Sequence, residues 1–149
     1  MGARLSYIAY GFFSASLMGC AAAVQAELQH LDDMPPFEGG RVLSDCEFSP
    51  DVQREMQGWE YRCVVVSQAE AGNRIEAYFQ ILREREWTQG GTAGSAVWVL
   101  IPMGGDCAQI YGIVASDYPR GSTTTPTSEI VLDLILERRV RCGEERELL

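Results

Sequence analysis

The chain has no lysine and a single histidine, His30. The first absence excludes Schiff-base and lysine-nucleophile chemistry. The second leaves no Ser-His or Cys-His pair in the part of the chain read as folded, because His30 sits in a stretch that reads as a solvated tether. There is no H-E-x-x-H, no P-loop, no G-x-S-x-G and no dinucleotide fingerprint. No C-x-x-C pair occurs and the cysteine spacings are long, which speaks against zinc. No catalytic, cofactor-binding or metal-ligating residue is assigned from these patterns. With lysine missing, all 12 basic residues are arginines, set against 21 acids for a formal net charge of −9. A chain this acidic repels nucleic acid and anionic lipid surfaces.

Of the 149 residues, the first part reads as an export segment. Met1 to Arg4 form a short basic start, Leu5 to Met18 an apolar run, and Gly19 to Ala26 a stretch rich in small residues. That order is the secretory signal pattern, and the apolar run is short for a membrane span. Val24-Gln25-Ala26 offers a cleavage site that makes residues 1–26 a signal peptide. Leu17-Met18-Gly19-Cys20 resembles a bacterial lipobox, which implies instead a lipoprotein signal over 1–19 and lipidation of Cys20. Either route removes Cys20 from the thiol pool. Cys46, Cys63, Cys107 and Cys142 then form an even set, read as a disulfide framework. The expected pairs are Cys46–Cys63 and Cys107–Cys142, since neighbours in sequence need no long-range closure.

Residues 27–45 carry Pro35-Pro36 and Gly39-Gly40 and read as a flexible tether. Residues 46–149 read as one globular domain. Within it, Ser49-Pro50-Asp51 predicts a short helix ending at Gly58, capped by Ser49 and opened by Pro50. Trp59–Ser67 is apolar on both faces of its middle and is expected at the centre of a sheet. Residues 69–73 are expected as a hairpin turn and 74–87 as an alternating strand, although Ile75, Tyr78, Phe79 and Leu82 also fit a helical period. Residues 88–95 read as a glycine-rich loop, and 96–101, 108–115 and 130–140 as strands, although Ser128 and the leucines of the last also suit a capped helix. Residues 117–128 read as a long surface loop.

The expected fold is α+β: a mainly antiparallel sheet of about five strands with one short N-terminal helix and two disulfides. The function that fits is an exported, non-catalytic binding module of the bacterial cell envelope, an accessory subunit or protein inhibitor without cofactor. Its partner would be another envelope or secreted protein, not nucleic acid, and it would meet the membrane only through an anchor at Cys20. The alternatives are a small secreted hydrolase using paired carboxylates, or a structural lipoprotein. Trp59, Trp87 and Trp98 are the aromatic candidates for a binding surface, with Trp98 expected in the core.

Overall fold

The structure, a computed structural model, describes residues 26–120 and 128–146. Residues 1–25 of the expected signal peptide, Cys20 among them, lie outside the described residues, as do 121–127 of the long loop and the end of the charged tail. Six strands form one sheet in the order β1-β2-β6-β5-β4-β3. They are β1 (Arg41–Val42), β2 (Trp59–Ser67), β3 (Thr88–Ala93), β4 (Ala96–Gly104), β5 (Cys107–Asp117) and β6 (Glu129–Cys142). All neighbours are antiparallel, so the chain is α+β with six strands rather than five. Helix α1 (Pro50–Glu55) lies between β1 and β2, and helix α2 (Gln68–Glu84) between β2 and β3.

Helix α2 corrects the reading of residues 69–87 as a turn and a strand. The topology shows why. β2 and β3 lie four places apart in the sheet, so no hairpin can join them; they run parallel, and such a crossing calls for a helix. The 3.6-residue period then prevails over the alternation. Ala71, Tyr78 and Leu82 turn to the sheet, while Glu70 pairs with Arg74 one turn on at 2.7 Å. Residues 88–93, read as a loop, become the edge strand β3, paired with β4 through a bulge after Gln89.

The main core lies between α2 and the sheet. Val64, Val66, Val99, Ile101, Ile113, Leu132, Leu134 and Leu136 face the helix residues Tyr78 and Leu82. Each fully buried aliphatic of this kind contributes about 1.5–3 kcal/mol. Residues 27–45 differ from the expected tether: Leu31 and Met34 are buried in this core, Phe37 packs on Tyr78 with ring centroids 5.1 Å apart, and Tyr78 donates to the Pro35 carbonyl at 2.9 Å. β2 is next to the edge, since β1 is only two residues long; the centre belongs to β6 and β5. Its two apolar faces reflect coverage by α2 on one side and by Leu43, Phe48 and Tyr118 on part of the other. β4 runs past Pro102, which pairs with Ala108 of β5. β3 ends opposite Leu100, so proline's missing N–H faces no neighbour there.

Two disulfides close the fold, Cys46–Cys63 and Cys107–Cys142, the pairs expected from sequence. The second joins directly opposed residues of β5 and β6. Such bridges persist in oxidising compartments outside the cytoplasm. No helix among the described residues is long and apolar enough to cross a membrane.

Candidate functional site

The face of the sheet turned away from α2 is built by strand alternation. Trp59, Tyr61, Cys63 and Val65 project from β2 on that side. In the pairing register, Tyr61, Ile135, Gly112 and Trp98 form one row across β2, β6, β5 and β4. The Trp98 ring lies over the bare backbone of Gly112, where an added Cβ would stand 2.6 Å from ring carbon Cζ3. That glycine lets the indole lie flat and reach towards Trp59, whose ring centroid is 6.2 Å away. Trp59 and Trp98 remain half-buried, and Tyr61 is 47% exposed.

The segment from Leu43 to Gly58 borders this row. Ser49 caps α1 by accepting from the Val52 N–H at 3.4 Å, with Pro50 at the first helical position as expected. The helix buries none of its residues: Val52, half of its apolar stripe, stays 37% exposed. The segment is held at its ends instead. Cys46 is bonded to Cys63, the Phe48 ring meets Tyr61 edge-on at 5.1 Å, and the Gly58 carbonyl accepts from the Arg138 N–H at 2.9 Å.

Against Phe48 lies a partly buried ion pair. Arg120 donates from Nη1 to Asp133 Oδ2 at 3.1 Å, from Nη2 to Asp133 Oδ1, and from Nε to the Cys46 carbonyl at 2.8 Å. Its guanidinium stands 4.7 Å from the Phe48 ring centroid. Burial pushes the Asp133 carboxyl above its ordinary value, although Arg120 pulls the other way. This group is consumed in holding the loop to the sheet.

A second cleft, of about 470 Å³, opens at the same end of β2 but on the opposite face, between Leu28, Gln29, His30, Glu60, Gln109 and Arg138. His30 is fixed there: its Nδ1 lies 2.7 Å from Glu60 Oε1, and Glu60 Oε2 accepts from the Leu31 N–H at 2.7 Å. His30 is exposed, as expected of a solvated residue, but it is paired with Glu60 rather than free in a tether. The Glu60 hydrogen bond and charge raise the His30 pKa. Burial raises that of Glu60, but the Leu31 N–H, His30 and Arg138 outweigh it and leave it lowered. The fully buried amide of Gln109 accepts from the Gln29 N–H and donates to the Gln29 and Glu137 carbonyls, so it is saturated. Glu60's partner is thus a histidine rather than a second carboxylate. Glu137, which with Asp133 is one of the two buried acids among the described residues, is held by Arg139 and Arg141 at 2.7 Å each.

Asp106, Cys107 and Cys142 are the one grouping of potential metal ligands among the described residues, and both sulfurs there are bonded to each other. No protein-family model, curated protein or solved structure matches the chain. Of the three tryptophans singled out in the sequence, the fold brings Trp59 and Trp98 together and buries Trp87 against α2. Trp98, expected in the core, is half-exposed on the open face. Glu60, Gln109 and Arg138 had no signal in the sequence, because their meeting depends on how residues 26–34 are laid down.

Proposed function

We propose that the protein is an exported, non-catalytic binding module of the bacterial cell envelope, which engages another protein through the sheet face opposite α2. The reading is supported by the uncovered aromatic row on that face: Trp59, Tyr61 and Trp98, bordered by the unburied stripe of α1. Amphipathic rings on a rigid sheet give large contact area at small entropic cost, which is why they concentrate at interfaces. The module would act in the periplasm or outside the cell, either free after cleavage at Ala26 or anchored through Cys20. An accessory-subunit or inhibitor role needs no catalytic group and no cofactor. The test is capture from envelope extract of the native host, with wild type and Tyr61→Ala compared. A partner retained by wild type, lost with Tyr61→Ala and released by salt supports the reading. Identical recoveries from both proteins overturn it. Hydrolysis of a glycan or peptide panel that vanishes in Glu60→Gln would assign the protein to the enzymes instead.

A further inference from the structure

Trp59, Tyr61 and Trp98 differ from the aromatic rings at their margin and beside α2 in how they are satisfied. Two rings at the margin of this face already carry an arginine of the chain itself, Phe48 under Arg120 and Tyr118 under Arg41 at 5.8 Å, and beside α2 Trp87 carries Arg85 at 5.6 Å. None of the described arginines is placed over Trp59, Tyr61 or Trp98. The segment bordering those rings carries Asp45, Glu47, Asp51 and Glu55 and one arginine, Arg54, which is paired with Asp51. Glu47 and Glu55 have no ion-pair partner among the described residues. Each is next in sequence to a residue that touches these rings: Glu47 precedes Phe48, whose ring touches Tyr61, and Glu55 precedes Met56, whose carbonyl accepts from the Trp59 N–H at 3.1 Å. Free ring faces beside unneutralised carboxylates complement a cation carried on an apolar stem.

We infer that the open face receives an extended, arginine- or lysine-bearing segment of the partner protein, its cations stacked on Trp59, Tyr61 and Trp98 and reaching Glu47 and Glu55. This rests on the binding reading above and names its partner's chemistry. The partner's positive charge also offsets the repulsion that so acidic a chain exerts on most other envelope surfaces.

The probe is a short oligo-arginine peptide, titrated into the full mature protein and followed by tryptophan emission and calorimetry. Saturable binding is expected, weakened about three- to tenfold in the Glu47→Gln, Glu55→Gln double variant, the loss that two partly exposed charge pairs carry. Tyr61→Ala should weaken it as well, and salt should abolish it once the screening length is a few ångströms. The control is Glu84→Gln with Glu86→Gln, which removes the same charge beside α2 and should leave the affinity unchanged. Glu47→Gly gives an independent arm. Glu47 holds φ at +53°, a conformation that glycine adopts freely, so the variant should keep its melting temperature while losing affinity. Equal weakening by the two double variants would show attraction to net charge alone and overturn the inference. So would absence of oligo-arginine binding; if Tyr61→Ala still loses the native partner in that case, the inference fails and the binding reading stands.

Discussion

The indole of Trp98 occupies the space that a side chain at Gly112, its cross-strand partner, would need. A methyl there would stand 2.6 Å from Trp98 Cζ3 and 2.9 Å from Ile135 Cγ1. Gly112→Ala should therefore destabilise the protein by about 1–3 kcal/mol through overpacking, and Gly112→Val by more. The ring would be lifted from the sheet and its contact with Trp59 lost. Urea unfolding and near-ultraviolet circular dichroism check this together. An unchanged midpoint with an unchanged aromatic spectrum would show that the ring does not rest there.

The pair of His30 and Glu60 makes the docking of residues 26–34 depend on pH. His30 has a pKa raised above 6.5 in the folded state, so its contribution is complete below 6.5 and is lost as pH rises through the raised value. Glu60 is lowered below 4.5, so its contribution is present above 4.5 and is lost as pH falls through the lowered value. The docking is strongest in the mildly acidic window between them. Proton NMR of the one imidazole should give a titration midpoint above 6.5 in wild type, falling back towards that value in Glu60→Gln. An identical midpoint in the two proteins would mean that the contact is not made in solution.

Much of the fold was legible where local chemistry and long-range placement agree. Ser49 and Pro50 announce α1, and the continuous apolar run from Ala96 and the alternation from Ile130 announce β4 and β6. The cysteine pairs follow from chain proximity. Where two local patterns competed, only the topology could choose: Ile75, Tyr78, Phe79 and Leu82 against the alternation of 74–87. The segment 27–45 was misread because its few apolar residues, Leu31, Met34 and Phe37, have no period, yet each finds a place in the core. The aromatic row was half visible. Trp59 and Trp98 stand out in the sequence, but their meeting requires that Gly112 lie opposite Trp98 and leave the backbone bare under its ring, and nothing local to either residue shows that.

Arg120 and Asp133 couple the Cys46–Cys63 bridge to β6. Arg120→Ala leaves a buried carboxylate without its cation and frees the Cys46 carbonyl. A fully buried pair broken in this way costs about 3–5 kcal/mol; Arg120 keeps some exposure, so about 2–3 kcal/mol is expected. The pH dependence has a definite sign. Burial already raises Asp133, and losing Arg120 raises it further, so the folded state then favours the protonated acid. The variant's deficit should be smallest in acid and grow as pH rises through the folded-state pKa of Asp133. Adding Asp133→Asn should recover part of the loss at neutral pH. Thermal melts of the single and double variants across pH decide it; a deficit that does not vary with pH would count against the pair.

Helix α2 ends in a Schellman motif with an unusual occupant. The Trp87 N–H returns to the Leu82 carbonyl at 3.3 Å and the Glu86 N–H to the Arg83 carbonyl at 2.9 Å. Trp87 and Leu82, both buried, make the hydrophobic contact that accompanies this motif. The residue between cap and tryptophan must then be left-handed, and it is Glu86, with φ of +62°. An L-residue with a Cβ pays about 1–2 kcal/mol in that conformation, whereas glycine does not. Glycine also gives the unfolded chain more freedom, which offsets about 0.4–1 kcal/mol. Glu86→Gly should therefore stabilise the protein by about 0.5–1 kcal/mol net, and Glu86→Asn by less. Replacement by a β-branched residue, Glu86→Val, should destabilise it, because that side chain tolerates the left-handed region worst. Chemical denaturation of the three variants ranks them, and a Val variant as stable as the Gly variant would show that the helix does not end in this turn.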